Sequence, residues 1–467
     1  GMKVSIRGIG TVGNSGPLYL IDGVGGDINS VNPADIESID ILKDAASAAI
    51  YGAQAANGVV LVTTKSGKEG KATVSFDGYF GWQQAPRRVR MLNAREYMNI
   101  MDEQAINSGD GPYDWSSFKS IYDANGNVYD TDWLGAMIKD NTNTQNYTLG
   151  VSGGNAKSNY AISLGYTNQE GLVGGPEVSN YSRYNFRVNS NHKLFDDFLT
   201  VGEHVSFIHT KTKNMTDAGN GNNGNKLYPA FNTSPLAPIY SDNGYYGSPF
   251  NSTALSDWAG GDGNPYGNMM TTSQLQNKNT LFNGDIFASI EPVRNLVIKT
   301  LLAVSYTSYN YRSFTPKYRF NASNDQNFTK VNQSAGDGFT ITWQNTASYN
   351  WNWGVNEMHA LLGMETSRSD GFDIAAGNTN LTSGFDVWDK AWVSNGNATT
   401  LGENGLSLSG KPWDSSRNIS YFARLGWNYD EKYMIEATFR ADGSSKFAKG
   451  NRWGYFPSVS AGWNISN

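Results

Sequence analysis

Four histidines, no cysteine and a scatter of carboxylates are all that this 467-residue sequence offers for catalysis or metal binding. His204 and His209 stand five apart in one alternating stretch, so on a strand they point to opposite faces and cannot share an ion. With His192 and His359, they read as wall-lining or interfacial side chains. Without cysteine there is no disulfide, thiolate nucleophile or sulfur-bound metal. Ser47, in the run AASAAIYG, falls on a predicted helix with no base nearby, and no nucleophile elbow is present. Gly8-Ile9-Gly10-Thr11-Val12-Gly13 spells GxGxxG, but Asn14-Ser15-Gly16-Pro17 follows where a dinucleotide fold needs a helix. A glycine-rich turn is the better reading. Asp123-Ala124-Asn125-Gly126-Asn127 imitates the first ligands of a calcium loop, yet it lacks Gly at the sixth position and Glu at the twelfth. Neither enzyme chemistry, nor a cofactor, nor a metal is expected.

The aromatics are more informative. Thr212 to Leu275 carries Tyr228, Phe231, Tyr240, Tyr245, Tyr246, Phe250, Trp258 and Tyr266, while Ser369 to Arg417 carries Trp388, Trp392 and Trp413. Aromatic faces beside Asn and Asp suit sugar rings, by stacking plus hydrogen bonds. They suit a docked partner protein equally well, because Tyr and Trp are favoured interface anchors. They also suit plain packing that orders a long loop. Tyr240, Tyr245, Tyr246, Trp258, Trp388, Trp392 and Trp413 are the candidates for ligand or partner contact. Nucleic acid is excluded as a partner, since a net charge of -6 leaves no basic stripe to neutralise phosphates.

What positions these residues is read from periodicity. Pro17 to Lys65 forms a small α/β unit. Leu18–Ile21 is a strand stopped by Asp22-Gly23; Ser38–Leu42 is a half-buried strand with Ile39 and Ile41 on one face. Lys43 to Tyr51 is a predicted short helix with Asp44 at its start and Gly52 after it, and Val59–Thr64 is a third strand. Roughly 50 residues hold too small a core to stand alone. Thr73–Trp82 then opens a series of alternating segments, interrupted by a capped helix over Asn93–Asn107. Tyr147, Leu149 and Val151 share a face, as do Tyr160, Ile162, Leu164 and Tyr166. Tyr184, Phe186 and Val188 do the same against Arg183, Asn185, Arg187 and Asn189. Rows led by Ile298, Phe339, Met358, Ile419, Tyr433 and Tyr455 continue the pattern. About 12 such strands are expected. No apolar run approaches the ~18 residues of a membrane helix. Many strands nonetheless span about 10 residues, with aromatics at their ends, as membrane strands do. Short connections (153–156, 194–197, 292–295, 430–432) alternate with the two long ones, an asymmetry bacterial outer-membrane barrels show. A soluble, glycan-binding β-protein and a passive porin are the alternatives; the α/β unit counts against the porin.

Ile6 to Gly8 (IRG), LYLIDGV and NPADIESIDILKDAASAAIYGAQAANGVVLVTTKSG resemble the plug domain of TonB-dependent outer-membrane transporters, and more narrowly the SusC/RagA branch. Arg7, Gly8, Asp22, Gly23, Lys43, Asp44, Tyr51, Gly52, Asn57 and Gly58 carry the plug wording. DTDW (Asp130 to Trp133), VSGGN with YAISLGYTNQEGLV, and FRADGSSKFAKGNRWGYFPSVSAGWNIS (Phe439 to Ser466) resemble SusC-type barrel wording. The resemblance implies an all-β transmembrane barrel, antiparallel and 22-stranded in the family, with an N-terminal α/β plug inside it. Here it implies residues 1–67 as plug and 68–467 as barrel, with extracellular loops at about 212–275 and 369–417. It further implies active import of an oligosaccharide or peptide in the bacterial outer membrane. The implied partners are a SusD-like surface lipoprotein, outer-membrane lipid, and a TonB-ExbB-ExbD complex acting through a segment upstream of Gly1. Half the family's strands and no leader at Gly1 to Gly8 make a piece of a longer polypeptide the expectation.

Overall fold

The computed structural model describes residues 6, 16–43, 49–86, 89–215, 227–240, 246, 263–320, 324–398, 405–413 and 415–465. Arg7, Gly8, Asp44, Tyr245 and Trp258 lie outside them.

The N-terminal unit is a four-stranded sheet. β1 (Leu18–Ile21), β2 (Val24–Gly25), β3 (Ile36–Leu42) and β4 (Val59–Thr64) run in the order β2-β1-β4-β3. β1 lies parallel to β4, and the other two pairs are antiparallel. Asp22 and Gly23 both have positive φ (50° and 89°), the conformation a two-residue hairpin requires, so Asp-Gly sits where its chemistry places it. Leu20, Ala55 and Val59 form the core, with Leu18, Leu42, Tyr51 and Leu61 against it. Two expectations need correction. Ile39 and Ile41 do share a face, registered beside Val62 and Val60, but they are 50% and 45% exposed. β3 is the edge of this small sheet, so only Leu42 reaches the core. Residues 44–48 of the expected helix lie outside the described residues, and Ala49–Ala55 winds as 3-10 turns rather than stopping at Gly52. Gly52 breaks that segment internally, with φ at 74°.

The second sheet follows the chain almost strand by strand. It comprises β5 (Gly70–Gln83), β6 (Thr142–Gly154), β7 (Ser158–Glu170), β8 (Asn180–Leu194), β9 (Leu199–Lys213), β10 (Leu275–Val293) and β11 (Leu296–Thr315). β14 (Lys330–Trp353), β15 (Asn356–Thr379), β17 (Ser416–Tyr429), β18 (Tyr433–Ser444) and β19 (Trp453–Trp463) complete it. Two short strands, β12 (Tyr318–Arg319) and β13 (Asp325–Gln326), pair with each other, and β16 (Ser407–Pro412) pairs with the far end of β15. The second long connection is therefore shorter as coil than 369–417, because both its flanks continue as strand.

Register divides the two faces of the sheet. Phe76, Leu149, Leu164, Phe186, Phe207, Phe282, Tyr306 and Phe339 are successive cross-strand partners, an apolar ladder over eight strands. One residue earlier or later, the partners are Ser75, Gly150, Ser163, Arg187, Ser206, Asn283, Ser305 and Thr340. A strict period of two thus gives one greasy and one polar surface. On the greasy side Phe76 is 71% exposed and Val459 74%. Aromatics mark its lower border, where Tyr349 stacks on Trp351, Trp427 meets Tyr429, and Tyr433 stacks on Trp463. Tyr421 lies eight residues above Tyr429 on the same face, about 20 Å once strand tilt is allowed for, close to the height of a membrane barrel's apolar band.

At the end with long connections the loops fold into a helical cap. α1 (Ala94–Asn107) starts at Asn93, whose side chain accepts from the Glu96 amide while the Glu96 carboxylate accepts from the Asn93 amide. Trp133, Leu134 and Met137 of α2 (Trp133–Met137) pack with Val178 of α3 (Gly175–Val178). Ala230 of α4 (Tyr228–Asn232) and Met269 of α5 (Pro265–Thr272) close the same cluster.

Candidate functional site

The small sheet is seated on the polar face of the large one, and β8 makes most of the bonds. Arg187 reaches Asp22 at 2.6 Å, with both side chains about nine-tenths buried. Asp22 also accepts from the Thr64 amide (2.9 Å) and hydroxyl (2.7 Å), so the hairpin carboxylate ties β1 to β4 as well as to the wall. Asn189 donates to the Thr64 hydroxyl and to the Lys65 carbonyl, each at 3.0 Å. Arg183 donates to the carbonyls of Asn29 (2.9 Å) and Ser30 (3.0 Å). Positions 183, 187 and 189 share a face because they differ by even numbers.

Two further points hold the unit. The Ser163 hydroxyl donates to Asp35 at 2.9 Å, beside an Asn32–Thr148 hydrogen bond of 3.0 Å. Burial pushes the Asp35 carboxyl above its ordinary range, against the lowering effects of the Ser163 hydroxyl and the Arg187, Lys65 and Arg183 charges. On β18, the next-to-last strand of the sheet's path, Arg440 donates to the Ile50 carbonyl and pairs with Asp442 at 2.6 Å. Gly52 lies against that pair, and a Cβ there would stand 2.3 Å from Asp442 Oδ2 and 2.7 Å from Arg440 Nε. Burial also raises the Tyr51 hydroxyl, with Arg424 opposing.

Of the sequence-predicted residues, Asp22, Gly23, Tyr51, Gly52 and Gly58 fall in this seat or in the small core behind it. Asn57 is in the turn before β4, and Lys43 is exposed. Of the wall residues, Ser163 and Arg440 fall within the barrel wording YAISLGYTNQEGLV and FRADG, while Arg183, Arg187 and Asn189 carry no motif. Their signal is charge at lumen-facing positions of otherwise alternating strands.

The loop aromatics separate into three groups. Tyr240, half exposed, stacks on Tyr246 at 5.2 Å, and Tyr266 closes the group at 6.0–6.3 Å. Burial raises the Tyr246 and Tyr266 hydroxyls, reinforced by Tyr240. Trp388 and Trp392 hold the Arg312 guanidinium between them at 4.1 and 4.4 Å. Arg312 shares its face with Tyr306, so this pair lies outside the lumen. Trp413 shares a face with Gly371 and lies over the registered pair Gly338–Gly371, where a Cβ would come within 2.0 and 2.7 Å of its ring. Its indole is 38% exposed on the polar wall.

Asp123 spends its carboxylate on the Asn125 amide and on the Asn127 amide and side chain, which holds it well below the usual range in a closed polar turn. His204 faces Asp285 at 2.9 Å on the wall, whereas His209 points to the other side and meets Thr280. Among the described residues no three His, Asp or Glu side chains converge on a cation position.

A plug seated in the polar concavity of an antiparallel, apolar-backed sheet defines a plugged transmembrane β-barrel protein. Residues 1–59 match the TonB-dependent Receptor Plug Domain family. The chain is 30% identical, over 99% of its length, to a TonB-dependent receptor of Formosa agariphila, and covers 41% of that protein. It is 28% identical over its whole length to the TonB-dependent receptor SusC of Bacteroides thetaiotaomicron, covering 45% of it. Among solved structures, the RagAB peptide importer in its 'closed-closed' state superposes with a TM-score of 0.78 at 25% identity, over 98% of this chain and 52% of that one. The chain is thus similar, over nearly its whole length, to TonB-dependent receptors of the SusC and RagA kind, which are outer-membrane β-barrel proteins. It spans less than half the length of the curated relatives it matches.

Proposed function

We propose that this chain belongs to an energy-coupled importer that takes an oligosaccharide or peptide across the outer membrane, with TonB-ExbB-ExbD pulling on the plug and a SusD-like lipoprotein closing the mouth. The observation that carries this is the plug's seat: hydrophilic bonds on the polar wall obstruct the lumen and can be broken and remade in water. A passive pore has no use for such an obstruction. A soluble β-protein would not leave Phe76, Ile286 and Val459 bare across a continuous apolar band.

Tyr240, Tyr246 and Trp413 are the residues we assign to cargo, because each offers an open ring face near polar groups. Trp388 and Trp392, engaged with Arg312, are assigned to ordering the loop that meets the lipoprotein. Tyr245 and Trp258 join the first group on sequence grounds. The plug occupies 1–67 and the barrel 68–467 in this assignment.

Deleting the gene should abolish growth on the cognate nutrient, and a plasmid copy should restore it only in cells with intact TonB. Rescue in a TonB-deficient strain would refute energy coupling. Within a rescued strain, Trp413→Ala should raise the nutrient concentration needed for half-maximal uptake about tenfold while leaving the amount of inserted barrel unchanged.

A further inference from the structure

The lipid-facing surface contains one polar chain that transport does not use. On β7, β8 and β9, Ser158 Oγ lies 3.0 Å from His192 Nδ1, His192 Nε2 lies 2.8 Å from Ser190 Oγ, and the Ser190 hydroxyl donates to a Glu203 carboxylate oxygen. Parity places all four outside. Ser190 and His192 share the face of the exposed Tyr184 and Phe186, Glu203 that of Phe207, and Ser158 that of Leu164. Arg187 and Asn189, between them on β8, bind the plug on the opposite side.

The hydrogen bonds run in one direction. Ser190 gives its only proton to Glu203, so its oxygen must accept from the His192 Nε2–H. In the neutral imidazole the His192 Nδ1 then accepts from Ser158. The chain fills one of the several acceptor positions of the Glu203 carboxylate. A carboxylate facing hydrocarbon is costly and needs a counter-charge. Its outward-facing neighbour across the register is Ile286, itself 60% exposed.

Depth selects the partner. Glu203 stands four residues beyond Leu199, where β9 leaves its short turn. Tyr349 of the aromatic border stands four residues before Trp353, where β14 enters its own. Both lie about 10 Å above the short-turn end, the level where headgroups meet acyl chains. The short-turn end is the periplasmic one, where the leaflet is phospholipid.

We infer that Ser158, His192, Ser190 and Glu203 form a binding notch for the ammonium group of an ethanolamine-headed phospholipid, with Glu203 as counter-ion and the acyl chain lying along Ile286. The inference does not rest on the import assignment, only on the barrel sitting in a bilayer.

The test places the full-length protein in nanodiscs whose bulk lipid is phosphatidylethanolamine, its N-methyl and N,N-dimethyl derivatives, or phosphatidylcholine, each with the same fraction of phosphatidylglycerol. Successive methylation removes the donors that Glu203 needs. The unfolding midpoint should fall stepwise along the series, by about 2 °C in all, and lipid retained after detergent extraction should drop in parallel. Glu203→Gln should flatten both trends, whereas Thr300→Val, on the same face two strands away, should leave them intact. A wild-type protein indifferent to methylation, or a Glu203→Gln protein with the wild-type trend, would overturn the inference. The methylation series needs no variant, so it decides the matter even if Glu203→Gln inserts poorly.

Discussion

Asp22 and Arg187 are 165 positions apart, and their pairing turns two chain segments into one object. Removing one partner of a buried pair leaves the other charged and dry, at a cost of about 3–5 kcal/mol, whereas replacing both is often nearly neutral. Arg187→Ala should therefore raise the rate of amide exchange in β1 and β4 by a factor of about 100 or more. Asp22→Asn with Arg187→Met should recover most of that protection. An undamaged Arg187→Ala variant would mean that the Thr64 bonds alone hold the hairpin. Asp35 makes a prediction about pH. Its carboxyl is raised in the seated plug, so the docked form binds its proton more tightly than the undocked chain. Its contribution is complete below the ordinary value of 3.8 and is lost as pH climbs through the raised one. Plug protection measured across that mildly acidic window should fall with rising pH, and Asp35→Asn should flatten this component. Half of the pair was legible in advance: Asp-Gly after an apolar run marks a turn. Arg187 was visible only as a polar residue facing away from Phe186, because no local rule names a partner so distant in sequence.

Elements differ in how far periodicity could define them. α1 was specified by its Asn cap and its Ser-Gly stop, and it occupies the expected residues; the Glu96 carboxylate that completes the cap emerged only from the structure. The long strands were legible because one surface meets lipid and the other water, so each side chain reports its face. The segment around Gly52 was harder, since an Ala-rich run favours a helix and only packing against Arg440 and Asp442 requires the chain to kink. That kink gives a sharp test. Gly52→Ala introduces a Cβ into the space of both side chains at φ 74° and ψ -159°, a region only glycine readily adopts, where an L-residue costs about 1–3 kcal/mol before any clash. Exchange should accelerate about tenfold or more across Ala49–Ala55 with β1–β4 little changed, because Asp22, Asp35 and Arg183 fasten the sheet elsewhere. Uniform loosening of the whole plug would instead make Arg440 the principal clasp. The same arithmetic bears on mechanism, since a pulled plug gives way first where fewest bonds hold it.

For the whole molecule, the decisive property is that one side of a continuous sheet is solvated by lipid. Ile298, Ala347, Leu362, Ala423, Phe439 and Pro457 are successive register partners, and Leu362 is 64% exposed in that row. Six residues above the start of β15, it lies near the middle of the apolar band. An arginine there must reach an interface through hydrocarbon, which costs about 2–4 kcal/mol at the midplane. Gln344, on the adjacent strand but the opposite face, donates to Glu365 at 3.0 Å, and an arginine in its place keeps a carboxylate partner in water. Leu362→Arg should thus lower the yield of heat-resistant barrel folded into vesicles by a factor of about 30 or more, while Gln344→Arg stays within twofold of the parent. Equal loss at both positions would mean that packing, not solvent, distinguishes the two faces. Loss only at Gln344 would turn the sheet inside out, placing the plug on the lipid side and removing the basis for a gated lumen.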